Sequence, residues 1–187
     1  PVLVLDRDGV INHDSDAYIR SLADWHPIAG SIEAIARLSR AGYRIAIATN
    51  QSGLGRGYFT EREMAAIHSR LCELVAAEGG EIAGIFHCPH LPDAGCECRK
   101  PGTGLLRAME VELGQSPAGG YFIGDSLKDL QAAQAFGCIP VLVKTGKGEG
   151  TLAALRTPET GLREPDAIAV YEDLADAADA ILSAAAP

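Results

Sequence analysis

Short apolar runs alternate with longer amphipathic segments along the chain. The runs have the length of buried strands, and the pattern predicts five of them, at 2–5, 43–48, 82–87, 120–123 and 139–143. The other segments place apolar residues every three or four positions and predict helices at 31–40, 60–78, 104–113, 126–136 and 171–184. Strands that alternate with helices form parallel sheets covered on both faces. We therefore expect an α/β, Rossmann-like three-layer sandwich with a mainly parallel central sheet.

Local signals place the ends of several elements. Gly42 is a C-cap signal after the first helix, and Thr60 with Glu63 forms a capping-box pattern at the start of the second. Residues 144–149 are rich in Gly and Lys and predict a flexible loop rather than a linker. With no internal repeat, residues 1–187 are expected to form a single domain.

Polar side chains follow three of the predicted strands. Asp6 and Asp8 end the first, Thr49 begins a polar turn after the second, and Asp125 follows the fourth. Each turn alone is explained by ordinary turn chemistry. Their joint placement is not, because ligands in open parallel sheets bind outside the carboxyl ends of the strands. The pattern predicts one polar crevice at this edge.

The carboxylates in this set indicate a divalent cation. Asp6 and Asp8 lie two residues apart in extended backbone, point to the same side and repel unless a cation offsets their charge. Asp125 is a third carboxylate, and Asp129 either supports the ion or braces its helix. Oxygen ligands of this kind favour Mg²⁺. Lys100 supplies positive charge beside the metal, where it would hold a phosphate.

The composition of the chain limits the classes of binding partner that we expect. The chain has 47% hydrophobic and 22% charged residues and a net charge of −9, which argues against nucleic acid or an anionic membrane surface as its partner. Its apolar runs are shorter than a membrane span, and the first is too short for a signal peptide, so a cytoplasmic location is expected. Of the five cysteines, Cys72 and Cys138 stand alone in apolar, buried-looking surroundings.

The other cysteines cluster in the loop 88–98. Three thiols and one imidazole there make a complete tetrahedral set for a structural Zn²⁺, namely Cys88, His90, Cys96 and Cys98. The alternative is a chance cluster, and His87 is interpreted as a packing residue rather than a ligand. Because the loop runs directly into Arg99 and Lys100, zinc would position the phosphate-holding lysine.

These motifs, in this order, resemble those of the haloacid dehalogenase superfamily of phosphotransferases: Asp6-x-Asp8-Gly9, Thr49, Lys100 and Gly124-Asp125-x3-Asp129. The resemblance implies that Asp6 is a nucleophile forming an aspartyl-phosphate and that Asp8 is the general acid and base, with a raised pKa. It also implies that Thr49 and Lys100 stabilise the phosphoryl group. Mg²⁺ would be held by Asp6, Asp8 and Asp125, with Asp129 in support.

Within the superfamily, the zinc loop is similar to that of two groups, the heptose bisphosphate phosphatases and the histidinol-phosphate phosphatases. The turn 49–60 favours the first group and the short cysteine spacing favours the second. Resemblance to the first group implies that the substrate is a small phosphorylated sugar. It would be an intermediate in the biosynthesis of ADP-heptose and the lipopolysaccharide core, or of GDP-heptose. Expected substrate contacts are Asp14, Tyr18, Asn50, Gln51, Ser52, Arg56, Arg99 and Ser126.

The intervals between motifs leave no room for a separate cap domain, so the pocket should be open. Nothing in the sequence requires more than a monomer. A third possibility, from another functional class, is an inactive zinc-stapled module that binds a phosphorylated ligand.

Overall fold

A six-stranded parallel sheet forms the centre of the protein in the computed structural model, which describes residues 1–185. The strands are β1 (Val2–Leu5), β2 (Arg44–Asn50), β3 (Ile82–Cys88), β4 (Tyr121–Gly124), β5 (Ile139–Val143) and β6 (Ala169–Tyr171). Their spatial order is β3-β2-β1-β4-β5-β6, and all neighbouring pairs are parallel. The predicted fold class is confirmed.

The helices are α1 (Ser31–Arg40), α2 (Ser52–Gly55), α3 (Glu61–Ala77), α4 (Gly104–Leu113), α5 (Leu127–Phe136), α6 (Gly148–Ala154) and α7 (Leu174–Ala185). Two 3-10 turns occupy Leu22–Asp24 and Pro165–Ala167. The predicted capping box forms at α3, where the Thr60 side chain accepts from the Glu63 backbone and Glu63 bonds back to Thr60. None of the helices within residues 1–185 has the length and apolarity needed to cross a membrane.

Two apolar layers enclose the sheet. Strand β1 is buried along its whole length, and alternate residues feed opposite faces, Leu3 and Leu5 on one and Val2 and Val4 on the other. The first face packs against α1, α3 and α7, and the second against α4 and α5. This two-sided burial explains why β1 reads as an uninterrupted apolar run.

The order of strands reverses at β1. Strands β2 and β3 are added on one side of it, and β4, β5 and β6 on the other. The carboxyl ends of β2, β1 and β4 are therefore adjacent, and ligands bind at such switch points. The segment that joins β1 to β2 contains a loop, one 3-10 turn and α1, with no inserted domain in the part of the chain that is described. The expected absence of a cap domain agrees with this topology.

The structure differs from the sequence-based prediction at residues 144–149, around Tyr171 and at Cys72. Residues 144–149 do not form a free loop, because α6 begins at Gly148. Tyr171 belongs to β6, and the last helix begins at Leu174. Strand β6 has three residues at the sheet edge, too few for a recognisable apolar run. Cys72 is exposed on the outer face of α3, whereas Cys138 is buried as expected.

Candidate active site

Asp6 lies at the end of β1, where its backbone nitrogen donates to the Ile123 carbonyl of β4 at 3.0 Å. Its Oδ1 accepts from the Arg7 backbone nitrogen at 2.8 Å and from Lys100 Nζ at 2.9 Å. The first donor is part of the backbone and the second is a buried side chain, so the carboxylate has a defined position at the base of a cleft. Such preorganisation suits a nucleophile.

Lys100 is 4% exposed, and all three of its ammonium hydrogens have acceptors. Besides Asp6, its Nζ donates to Asp129 Oδ1 at 2.6 Å and to the Ala48 carbonyl at 2.9 Å. Its backbone exchanges two hydrogen bonds with the Asn50 amide, at 3.0 and 3.2 Å. The lysine is therefore held at both ends, and the carboxylates raise its pKa against the opposing effect of burial.

Asp129 and Ser126 cap α5. The Asp129 carboxylate accepts from the Ser126 hydroxyl at 3.0 Å and from the backbone nitrogens of Asp125 and Ser126 at 3.2 Å. Burial raises the pKa of Asp129, but Lys100 and these donors outweigh burial and lower it. These hydrogen bonds brace the start of α5, which is one of the two roles expected for Asp129, and its bond to Lys100 keeps that lysine in place.

Three carboxylates form a group that fits a divalent cation. One oxygen each from Asp6, Asp125 and Asp129 lies within 4.8 Å of the others, and all three residues are buried. Asp8 is not part of this group among residues 1–185. A Cβ at Gly9 or Gly146 would collide with the Asp125 carboxylate, so both glycines are needed for the backbone to approach it.

The charges at the base of the cleft leave a negative excess. Four carboxylates and two cations meet there: Asp6, Asp8, Asp125, Asp129, Arg7 and Lys100. Burial, followed by the Asp129 charge, raises the pKa of Asp6 and raises that of Asp125 to about 6. Two uncompensated negative charges are what one divalent cation neutralises.

Asp8 is bound by its own loop. Its Oδ1 accepts from Arg7 Nε at 2.7 Å and Asn12 Nδ2 at 3.0 Å, and its Oδ2 accepts from Gln51 Nε2 at 3.2 Å. Burial raises its pKa, but the Arg7 guanidinium and the hydrogen bonds prevail and lower it. This direction is opposite to the raised pKa expected from the sequence, because Arg7 turns its charge toward Asp8.

A cleft of about 480 Å³ opens above these groups. The sequence-predicted catalytic and substrate-contacting residues all line it: Asp6, Asp8, Asp14, Tyr18, Thr49, Asn50, Gln51, Ser52, Arg56, Arg99, Lys100 and Ser126. Asp125 also faces the cleft. Gln51 donates to Thr49 Oγ1 at 2.7 Å as well as to Asp8, so it ties the two turns together.

The segment that begins α6 contributes residues that sequence reasoning missed. The Lys147 backbone nitrogen donates to Asp125 Oδ2 at 2.9 Å, and Thr151 Oγ1 donates to the Asp125 carbonyl at 2.7 Å. Thr145 Oγ1 donates to the Gly9 carbonyl at 2.6 Å. One signal in the sequence could have identified this segment. It is rich in Gly and Lys and directly follows β5, which ends at the same edge of the sheet as the other site-bearing strands. This segment clamps Asp125.

Positive charge lines the cleft away from the carboxylates. Arg56, Arg99, Lys128 and Lys147 all lie on its walls. Partial burial lowers the pKa of Lys128, and the Arg99 and Lys147 charges lower it further. Arg99 Nη1 is buried and has no hydrogen-bond partner within residues 1–185. Apart from Lys147, which lies near Asp14, these cations form no salt bridge within residues 1–185, so the wall is suited to an anionic group on the ligand.

The loop 14–18 spans the mouth of the cleft. Asp14 lies 3.7 Å from Lys147 Nζ, and the Tyr18 ring packs edge-on against Tyr58 with centroids 5.1 Å apart. Arg20 stacks over the same Tyr58 ring at 4.5 Å. Tyr18 has a φ of 69°, which a bulky side chain adopts only when its surroundings require it. These contacts hold Asp14 and Tyr18 over the cleft.

The four predicted zinc ligands converge in the loop after β3. Cys98 Sγ lies 2.7 Å from Cys88 Sγ and 3.2 Å from His90 Nδ1, and Cys96 Sγ is 3.6 Å from Cys88 Sγ. The Arg99 backbone N–H lowers the pKa of Cys96 to about 6, so that thiol is readily available as a thiolate ligand. This Cys/His cluster fits a tetrahedral metal ion.

A parallel sheet that places these aspartates, Thr49 and a doubly paired buried lysine at its switch point defines a phosphoryl-transfer fold of the haloacid dehalogenase class. Comparison with known proteins agrees. A family model described as HAD-hydrolase-like matches residues 97–177, and one described as polynucleotide kinase 3 phosphatase matches residues 2–135.

Among curated relatives, the D-glycero-β-D-manno-heptose-1,7-bisphosphate 7-phosphatase of Pseudomonas aeruginosa is 53% identical over 97% of both chains. That of Pseudomonas putida is 54% identical over 92% of this chain and 98% of the relative. The solved D,D-heptose 1,7-bisphosphate phosphatase of Bordetella bronchiseptica, in complex with magnesium and phosphate, is 46% identical. It superimposes with a TM-score of 0.90, covering 98% of this chain and 99% of its own.

The chain therefore belongs to the family of D-glycero-β-D-manno-heptose-1,7-bisphosphate 7-phosphatases.

Proposed function

We propose that this protein is a Mg²⁺-dependent phosphatase that removes the 7-phosphate of D-glycero-β-D-manno-heptose 1,7-bisphosphate. The observation that carries the proposal is that one cleft contains both a lysine-held Asp6 and a separate cationic wall. The first arrangement suits a phosphate that reacts, and the second suits a phosphate that does not. The identity of 46–54% to enzymes named for this substrate supports the same substrate here.

In the first step, a carboxylate oxygen of Asp6 bonds to phosphorus while the bond from phosphorus to the sugar oxygen breaks. Asp8 donates its proton to that leaving oxygen. In the free protein the pKa of Asp8 is lowered. A dianionic phosphate beside Asp8 raises this pKa, because a like charge disfavours the carboxylate.

In the second step, a water oxygen attacks the phosphorus of the aspartyl-phosphate and Asp8 takes the proton from that water. The bond from phosphorus to the Asp6 oxygen breaks, which releases inorganic phosphate and restores the enzyme. Lys100 and Thr49 stabilise the phosphoryl oxygens in both steps.

Asp6, Asp125 and Asp129 would hold the Mg²⁺ ion. Asp8, the remaining ligand predicted from the sequence, lines the same cleft. When bound, Mg²⁺ neutralises charge on the transferring phosphoryl group. The relative solved with magnesium and phosphate supports this cofactor. Lys100 then balances the charge that remains on Asp6 and Asp129.

The non-reacting 1-phosphate is proposed to bind Arg99, whose buried Nη1 has no partner within residues 1–185, with Arg56 also lining the cleft. Asp14 and Tyr18 reach the sugar hydroxyls, and Asn50, Gln51, Ser52 and Ser126 line the remaining wall. The cationic wall disfavours histidinol phosphate, because the amine of that substrate is itself a cation.

The Cys/His cluster is proposed to bind a structural Zn²⁺. All four coordination positions are filled by protein donors, which leaves none for a substrate. The Arg99 backbone donates to Cys96, so an ordered zinc loop also orders Arg99 and the adjacent Lys100.

The remaining proposals concern the whole protein. We infer one phosphatase domain over residues 1–187, acting as a cytoplasmic monomer on a small phosphorylated sugar. The net charge of −9 supports partners other than nucleic acid or anionic membranes. The dephosphorylated heptose would enter ADP-heptose and lipopolysaccharide or GDP-heptose biosynthesis.

The test is phosphate release from the β and α anomers of heptose 1,7-bisphosphate and from histidinol phosphate, each with Mg²⁺. We expect the highest kcat/KM for the β anomer and retention of the 1-phosphate in the product. Faster turnover of histidinol phosphate would overturn the substrate assignment. Asp6→Asn is the control: it should fold and bind but release no phosphate, and equal turnover in that variant would mean that Asp6 is not the nucleophile.

A further inference from the structure

Arg7 is a buried cation between the two aspartates of the first motif, and the mechanism above gives it no part. It is 0% exposed. Its Nε donates to Asp8 Oδ1 at 2.7 Å, its Nη1 lies 3.1 Å from His68 Nε2, and its Nη2 has no partner within residues 1–185. A buried guanidinium with so few partners is costly, and each partner it keeps therefore matters.

His68 reaches the back of this motif from α3. It is half-buried beside a groove that His87 also lines, and its Nε2 faces Arg7 Nη1. Because Arg7 has only donors, the bond requires an unprotonated Nε2 that accepts. Burial, and then the Arg7 charge, lower the pKa of His68 to about 4, with a further lowering from His87 and an opposing effect of Asp8. The ring is therefore a neutral acceptor at ordinary pH.

The contacts of Asp8 indicate the role of the hydrogen-bonded pair Arg7 and His68. Its Oδ1 accepts hydrogen bonds from Arg7 and Asn12, whereas its Oδ2, counting donors within residues 1–185, accepts from Gln51 alone. Asp8 also lines the cleft. Fixing Oδ1 orients the carboxylate and leaves acceptor capacity on Oδ2, the oxygen that is free to exchange a proton.

We propose that His68 and Arg7 are positioning residues for proton transfer: His68 fixes the Arg7 guanidinium, and Arg7 fixes Asp8 toward the leaving oxygen. Neither residue touches the substrate. The inference rests on the proposed function, since it requires Asp8 to be the general acid.

The readout is the dependence of kcat/KM on the leaving group, measured with Mg²⁺ on heptose 1,7-bisphosphate and on p-nitrophenyl phosphate. The sugar oxygen needs a proton to leave, whereas nitrophenolate does not. Loss of a positioned acid therefore slows the sugar substrate selectively, whereas a general loss of structure slows both. Asp8→Asn is the reference and should lose about 10²-fold or more on the sugar substrate, with a much smaller loss on the aryl ester.

The test variant is His68→Leu, which removes the acceptor. We expect a selective loss of about tenfold or more on the sugar substrate, in the pattern of Asp8→Asn. His68→Gln, whose amide oxygen also accepts a hydrogen bond, should restore most of that activity. His87→Leu is the matched control: it removes an imidazole from the same groove, and no bond from His87 to Arg7 exists within residues 1–185, so the ratio of the two rates should not change.

Equal loss on both substrates in His68→Leu, or no loss, would overturn the inference if Asp8→Asn remains selective. If Asp8→Asn itself shows no selectivity, then the general-acid assignment fails and the inference fails with it. Arg7→Lys provides a second test should His68→Leu unfold. Arg7 bonds Asp8 and His68 through two different nitrogens of a planar fork, which a lysine replaces by a single nitrogen, so this variant should show the same selective loss while keeping the charge.

Discussion

The imidazole of His68 should make the stability of the protein depend on pH in a way that a single substitution removes. The pKa of His68 falls from 6.5 to about 4 in the folded protein, because burial and the Arg7 charge disfavour the imidazolium. The unfolded chain therefore binds a proton at a pH where the folded chain does not. Stability contributed by the neutral ring is present above pH 6.5 and is lost as pH falls toward 4.

The size of this loss follows from the two pKa values. Each pKa unit corresponds to about 1.4 kcal/mol, so lowering the pH from 7 to 5 should cost about 2 kcal/mol of unfolding free energy through this one group. For a chain of this length, that corresponds to a fall in melting temperature of about 4 to 8 °C.

The assay is urea unfolding at a series of pH values, for the wild type and for His68→Gln. The variant keeps a hydrogen-bond acceptor but cannot take up a proton, so all other groups cancel in the difference. We expect the stability advantage of the wild type to shrink by about 2 kcal/mol between pH 7 and 5. Parallel curves for the two proteins would refute the proposed burial of a neutral His68 against Arg7.

The buried lysine, the Cys/His loop and the clamp on Asp125 can each be tested by substitution or metal removal. Lys100→Met should abolish phosphate release and lower the free energy of unfolding in urea by about 3 to 5 kcal/mol, because it leaves two buried carboxylates without their cation. The control is Lys128→Met, also in the cleft, which should lower it by under about 1 kcal/mol. Similar losses in the two variants would contradict the pairing of Lys100. Removal of bound metal from the Cys/His loop, or Cys98→Ser, should lower the melting temperature and the activity together; an unchanged melting curve after verified removal would argue against a structural metal. Thr151→Val removes the hydrogen bond from the Thr151 hydroxyl to the Asp125 carbonyl. It should weaken Mn²⁺ binding in calorimetry and raise the Mg²⁺ concentration needed for half-maximal activity, and Thr151→Ser should restore both. Unaltered Mn²⁺ binding in Thr151→Val would count against the clamp.

Much of what could be predicted came from patterns of neighbouring residues in the sequence. Strand β1 and the aspartates after it are contiguous, so burial on both faces and the sharp switch to polar residues are visible in the sequence. The cysteine loop is likewise local, since its four donors lie within eleven residues. The grouping of Thr49, Lys100 and Asp125 in one cleft followed from a general rule about the carboxyl ends of parallel strands.

Contacts between distant segments could not be predicted in the same way. The Gly and Lys residues of 144–149 predict a flexible loop, yet the Lys147 backbone nitrogen and the Thr151 hydroxyl that follows it bind Asp125. The apolar neighbours of Cys72 predict a position in the core, but its side chain is exposed on the surface of α3. Helix rotation and loop docking depend on the total packing of the domain rather than on neighbouring residues.

The sequence by itself therefore determined the alternation of strands and helices, the chemistry of the site and the family, because these depend on residue type and order. Only the tertiary structure decided the state of the two aspartates in the opening motif. Lys100 holds Asp6, and Arg7, backed by His68 from a helix 61 residues away, holds Asp8 and lowers its pKa. A pKa is set by burial and by charges within a few ångströms, and those distances exist only after the chain has folded.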